Sequence, residues 1–198
     1  MEIRIATRKQ TVYACKYFHY AKRVPQAVYS YAIFNQGFFC GVIVFGYGAN
    51  PQIAKPFNLW QGQVLELVRV ALNGKQTCTS QALSMALKRL KKDNPQIKII
   101  VSYADKDQDH KGIIYQATNW IYQGEFTKGA MKFYIRGKEV HKKTLADRCK
   151  TGKVEEIKKI YKDDIEIGRG KGKYRYIFCF DKKERKKYLK NALPYPKE

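Results

Sequence analysis

Residues 102–124, SYADKDQDHKGIIYQATNWIYQG, join two kinds of chemistry end to end. Asp105, Asp107 and Asp109 stand at alternate positions, and His110 closes the run. A carboxylate within hydrogen-bonding reach of a substrate amine can orient it and take its proton, and a carboxylate with an imidazole can also ligate a metal such as iron. After Gly112 come rings and side-chain amides, Tyr115, Gln116, Asn119, Trp120 and Tyr122, interleaved with aliphatics. Rings stack on flat ligands, and amides read the hydrogen-bonding edge of a base. The pattern predicts a helix over 113–122 that turns Ile114, Ala117 and Ile121 inward and gathers Tyr115, Asn119 and Tyr122 on another face. Core packing produces stripes of the same kind.

Two other clusters bear on chemistry. In NGKQTCTSQ, a loop before a helix N-terminus, free backbone N–H groups and the helix dipole would favour an anion, with Lys75, Thr77, Thr79 and Ser80 as added donors. An ordinary capped turn would read the same way. The loop is no Walker motif, and Gly46-Tyr47-Gly48 is no dinucleotide fingerprint, which speaks against a nucleotide-triphosphate enzyme. Around His19 and Tyr20, the residues Tyr17, Phe18, Lys22 and Arg23 mix rings with cations, suited to stacking on a base and holding its phosphate, or to closing a sheet.

The elements that must position these residues alternate along the chain. AVYSYAIFNQGFFCGVIVFGYG reads as two strands joined at Asn35-Gln36-Gly37. VLELVRVAL alternates as a strand, and Thr79 or Ser80 can cap the helix that follows, with Ala82, Leu83, Ala86, Leu87 and Leu90 as its apolar stripe. Pro95 ends that helix. IKIIVSYAD is then a buried strand of the parallel type, with Asp105 at its C-terminal end, where open α/β sheets place ligands. Asp107 and Asp109 read as solvated. The fold class is therefore α/β, with a central sheet flanked by helices. Residues 1–128 form the core, and 129–198 form a basic C-terminal part, with YRYIFCF as one further strand, packed on or extending it.

Charge narrows the partners. The 198 residues carry 39 Lys and Arg against 17 Asp and Glu, a formal charge of +22 that calls for a polyanion. A membrane surface is the weaker choice, since the longest apolar run, from Gly37, falls well short of the roughly 20 residues needed to span a bilayer. The start, MEIRIATRKQ, has no signal-peptide core, and five scattered cysteines without a C-x-x-C pair suit free thiols in a reducing, cytoplasmic setting.

The order of hairpin, strand, anion-suited loop, helix, strand, loop and helix resembles the GNAT acetyltransferase core. FHYAKRVP at 18–25, LELVRVAL at 65–72, SYAD at 102–105 and GIIYQATNW at 112–120 are similar to phage Mom-type DNA-modification proteins. The resemblance implies a GNAT-like mixed sheet and an enzyme that converts adenine in double-stranded phage DNA to an N6-carbamoylmethyl form, protecting it from restriction. It implies catalytic roles for Asp105, Tyr115, His19 and Tyr20. Asn119, Trp120, Arg69, Ser102, Lys22 and Arg23 would bind substrate, and Lys75, Thr77, Thr79 and Ser80 an acyl-CoA-like donor. The Q/R-x-x-G-x-G/A pyrophosphate signature of GNAT enzymes is absent from NGKQTCTSQ. Iron held by His19 and Asp105 is the alternative to acid–base chemistry. A non-enzymatic DNA-binding protein and a small-amine N-acetyltransferase are the competing functions, and the oligomeric state stays open, a homodimer included.

Overall fold

The computed structural model describes residues 1–126, 129 and 131–197. The expected boundary at 128 lies outside the described residues. The chain divides into two compact units: residues 1–104, 111–124 and 175–198 form the first, and 105–110 with 125–174 the second.

The first unit is built on a seven-stranded sheet in the order β1-β2-β3-β4-β5-β10-β6. Its strands are β1 (Glu2–Ile5), β2 (Tyr29–Asn35), β3 (Phe38–Gly46), β4 (Val64–Leu72), β5 (Ile99–Asp105), β6 (Ile121–Phe126) and β10 (Lys173–Cys179). β1 to β4 are antiparallel, and β5 runs parallel to β4. The hairpin turn falls at Gln36 and Gly37, both at positive φ (49° and 80°), the geometry that matches strand twist and that glycine adopts without penalty. The β2, β3, β4 and β5 expectations are borne out, as is the YRYIFCF strand, which the fold inserts between β5 and β6.

Helix α1 (Arg8–Tyr17) starts in a capping box, with Thr7 accepting from Gln10 N–H and the Gln10 side chain accepting from Thr7 N–H. It packs Ala14 and Cys15 onto Val42, Val44 and Ala71. Helix α2 (Thr79–Asp93) buries the expected stripe of Ala82, Leu83, Ala86, Leu87 and Leu90. Its N-cap is Cys78, without a side-chain capping bond, and not Thr79 or Ser80, which lie inside the first turn. No helix of the described residues is long and apolar enough to cross a membrane.

Helix α3 corrects the sequence expectation. It spans only Ile113–Ala117 and not 113–122. Thr118 Oγ1 bonds back to the carbonyls of Ile114 and Tyr115, Asn119 takes a left-handed conformation (φ 63°), and the chain enters β6. Tyr115, Asn119 and Tyr122 therefore share no helical face. Of the residues expected to turn inward, Ile121 is buried, Ile114 is half-buried and Ala117 is exposed, while Tyr115, Trp120 and Tyr122 are buried as well.

The second unit holds a three-stranded antiparallel sheet, β8 (Lys138–Val140), β7 (Met131–Ile135) and β9 (Ile165–Arg169), with helices α4 (Lys142–Cys149) and α5 (Val154–Tyr161). Phe133, Leu145 and Ile157 are its fully buried core, ringed by Ile135, Val140, Val154, Tyr161, Ile165 and Ile167. The first unit ends in helix α6 (Lys182–Leu189).

Candidate functional site

β4 and β5 pair over only three rungs, Val64 with Ile99, Leu65 with Ile100 and Glu66 with Val101. Two residues on, β4 carries a bulge: Phe45 faces Leu67 and Val44 faces Arg69, leaving Val68 as the extra residue. A bulge bends its strand and increases its twist, so the two strands part from the fourth rung on. Where they part, side chains take over the bonding. Ser102 Oγ donates to Leu67 O at 3.2 Å and lies 2.9 Å from the Tyr115 hydroxyl. Ser102 has one proton and a carbonyl can only accept, so Tyr115 O–H is the donor in the second bond. Burial pushes the Tyr115 phenol up to about 12, which keeps it a proton donor, and not a base, near neutral pH.

The segment after α1 supplies the next two groups. His19 Nδ1 accepts from Ala21 N–H at 3.0 Å, which places the proton of a neutral ring on Nε2. Arg69 Nη1 lies 3.5 Å from that Nε2. The His19 and Tyr20 rings lie 4.2 Å apart, and Arg69 Nε is buried with no hydrogen-bond partner among the described residues.

Glu66, on the last paired rung, is a candidate site residue that sequence reasoning missed. It adds to the upward shifts of the Tyr103 and Tyr115 phenols, which burial dominates, while Arg175 opposes the shift at Tyr103. Tyr20 acts on Tyr115 in the same sense. Ser102 touches Tyr115, His19 touches Arg69 and Tyr20, and Glu66 and Tyr20 are near enough to act on the Tyr115 phenol. Gly48 leaves room for the carboxylate. A Cβ there would lie 1.9 Å from Glu66 Oε2, and its φ of +69° favours glycine. The available signal was a lone carboxylate in a strand whose other residues, Arg69 apart, are apolar. Only Glu2, Glu66 and Asp93 are acidic in residues 1–104.

The loop before α2 is pinned to the β2–β3 turn. Asn35 Nδ2 donates to Lys75 O, Thr77 Oγ1 to Asn35 Oδ1, and Lys75 N–H to Asn73 Oδ1. Thr79 Oγ1 accepts from Gln76 Nε2, and Ser80 Oγ lies 3.1 Å from Cys78 Sγ. The hydroxyls are thus engaged inside the loop. Cys78 is exposed, and its thiol is held below the ordinary 9.0 by the Ser80 hydroxyl first and then by the N–H groups of Gln81 and Ser80. Those N–H groups already stabilise a negative sulfur, which is the property a phosphate would use.

Of the remaining expected site residues, Trp120 is fully buried beside Tyr115 and Phe178 and presents no face for stacking. The carbonyl and Oδ1 of Asn119 both accept from Arg185. Lys22 and Arg23 are exposed on the coil after Tyr20. Asp105 belongs to the second unit, where its carboxylate caps a short 3-10 turn by accepting from Asp107 N–H at 3.0 Å. Asp107, expected to be solvated, bonds Lys171 N–H and pairs with Lys132 at 3.0 Å. No group of three or more His, Cys, Asp or Glu side chains that could hold a metal occurs among the described residues, so the His19–Asp105 iron reading gains no support.

Residues 1–197 match the Mom protein family. The chain belongs to that family. Its sequence is 26% identical over 187 residues to the methylcarbamoylase mom of Escherichia phage Mu, covering 90% of this chain and 76% of that protein. Among solved structures, this Mom-family chain is similar to the aminoglycoside 6'-N-acetyltransferase of Enterococcus faecium (11% identity, TM-score 0.48, covering 90% of this chain and 97% of that one). It is also similar to an N-acetyltransferase of Staphylococcus aureus Mu50 (14%, TM-score 0.47, 91% and 98%).

Proposed function

We propose that this Mom-family protein is a transferase that adds a carbamoylmethyl-type group to N6 of adenine in double-stranded DNA, with its active site where β4 and β5 part. The observation that carries the reading is the convergence of Glu66, Tyr115–Ser102, Arg69 and His19–Tyr20 there. It stands in a unit whose sequence holds 23 Lys and Arg against 6 Asp and Glu. The exocyclic nitrogen of adenine is a weak nucleophile because its lone pair is delocalised into the ring. Bond formation at N6 therefore gains from a carboxylate that aligns the amine and accepts its proton, the role we give Glu66. Tyr115, whose one proton goes to Ser102, is fixed in place by that bond and presents its ring and oxygen lone pairs to the site. Arg69 Nε–H, which has no hydrogen-bond partner among the described residues, is a donor for negative charge or for a base edge. Tyr20, 49% exposed, offers a ring for stacking on an extruded base.

A CoA-like donor fits the loop before α2, where the uncapped first turn offers backbone N–H groups and Lys75 adds a cation. A thioester activates an acyl carbon and releases a thiol, so such a donor alone would give an N6-acyl adenine. A carbamoylmethyl group, joined to N6 through its CH2, requires a donor with the leaving group on that carbon. The test is direct: express the protein in a bacterial host, digest the host DNA to nucleosides, and search by mass spectrometry for a deoxyadenosine heavier by the carbamoylmethyl increment. Unmodified deoxyadenosine from cells containing soluble, folded protein would refute the reading.

A further inference from the structure

Helix α6 places its side chains in two classes. Glu184, Arg185 and Tyr188 are half-buried, whereas Lys182, Lys183, Lys186, Lys187 and Lys190 are exposed. The anchoring face is specific. Asp181 caps the helix by accepting from Lys183 and Glu184 N–H, Arg185 donates to both the carbonyl and the Oδ1 of Asn119 (2.7 and 2.9 Å), and Tyr188 stacks edge-on against Phe57. The outer face is five lysines, none in an ion pair among the described residues. Lysines one turn apart, such as 182 with 186 and 183 with 187, repel and weaken a helix that buries no residue of its own. The fold holds this unfavourable row in place from behind and leaves its front uncompensated.

We infer that the lysine face of α6 is the surface on which this protein receives the sugar–phosphate backbone of duplex DNA. A helix of this length extends ~12 Å, over which a duplex presents roughly seven negative charges, enough to meet all five lysines. Arg185 fastens the helix to Asn119, two residues from the end of α3, whose Tyr115 bonds Ser102 at the parting of β4 and β5. Backbone held on α6 is therefore held by the same chain segment that lines the proposed site. The inference rests on the DNA reading above and adds which surface takes the phosphates.

The test compares wild type with two variants of equal net charge. One carries Lys182→Gln, Lys183→Gln, Lys186→Gln and Lys187→Gln on α6; the other carries Lys142→Gln, Lys143→Gln, Lys158→Gln and Lys159→Gln in the second unit. Lysine and glutamine have similar helix propensity, and circular dichroism with thermal melting confirms that all three are folded. Affinity for two unrelated duplexes is measured against salt concentration. We expect the α6 variant to lose about tenfold or more in affinity at 0.15 M salt, and its slope of log K against log salt to fall in magnitude by ~0.9 for each phosphate contact removed. The control should keep the wild-type slope. Equal losses in both variants, or none in either, overturn the inference. A wild type that binds neither duplex overturns the DNA reading itself.

Discussion

The first unit holds 23 Lys and Arg against 6 Asp and Glu, and the second 16 against 11. The second places its acids next to its cations, as in Lys106–Glu125, Lys132–Asp107, Arg136–Asp164, Lys153–Glu156 and Lys171–Asp109. In the first, the described ion pairs are Arg4–Glu2 and Arg89–Asp93. Exposed pairs of this kind contribute little to stability, so the difference concerns the field and not the fold. The second unit offsets most of its own charge, whereas the first keeps a strongly positive field, the one we propose for DNA, and carries one of its few carboxylates, Glu66, on the rung beside the opening. The cores differ in the opposite sense. The second unit rests on three fully buried side chains, and the first on a continuous set from both faces of a seven-stranded sheet.

Phe133→Ala should break the comparison most visibly. Emptying the largest side chain of a three-residue core costs ~3–5 kcal/mol, and should unfold the second unit. Hydrogen exchange should then show β7, β8 and β9 unprotected and β2 to β4 still protected. Loss of protection in both would mean that the units do not fold separately. Gly48→Ala acts on the other side of the comparison. It pushes the Glu66 carboxylate from its seat and should cut the modification rate about 100-fold, as ångström-scale misplacement of a catalytic group can, with little change in DNA affinity. Tyr115→Phe removes one buried hydrogen bond and should cost about 1 kcal/mol in a denaturant titration.

Acid should separate the units in a graded way. Hydrogen bonds from Lys171 N–H, from the Arg136 side chain and from the Thr151 hydroxyl are the leading causes that hold Asp107, Asp164 and Glu156, all in the second unit, below their ordinary 3.8, 3.8 and 4.5. A depressed carboxylate contributes stability above its unfolded pKa and loses it as pH falls through the folded one. Exchange in β7 to β9, corrected for its intrinsic pH dependence, should therefore rise below about pH 4. The smallest effect expected is at Cys78, whose thiol should alkylate faster than that of Cys149 near neutral pH and be protected by a bound CoA-like ligand.

The sheet was largely legible in the sequence because β2, β3, β4 and β5 alternate or run apolar, and α2 has a full apolar stripe. Of the site residues the resemblance implied, Ser102 with Tyr115 and His19 with Arg69 lie together, whereas Asp105 and Asn119 are engaged elsewhere and Trp120 is fully buried against Phe178. What local pattern could not show depends on distant partners. α3 stops at Ala117 because Trp120 is buried against Tyr115 and Phe178, a requirement that helical periodicity does not carry. Asp105 and Glu66 have the same chemistry, and only the register of β4 against β5 sets Glu66 at the parting. The basic C-terminal part was expected to pack on or extend the core, but the pattern of charges does not show which residues anchor α6, because Arg185 and Tyr188 find their partners at Asn119 and Phe57, far away in sequence.

The central claim is that the chemistry belongs to the first unit, with Glu66 as its carboxylate, and not to Asp105. The measurement is the modified fraction of deoxyadenosine in DNA from cells making wild type, Glu66→Gln or Asp105→Asn protein at matched soluble levels, read by mass spectrometry of nucleosides. Glu66→Gln should leave no modified deoxyadenosine while binding DNA with the wild-type salt slope, and Asp105→Asn should retain a measurable fraction. Full modification by Glu66→Gln, with none by Asp105→Asn, would contradict the account.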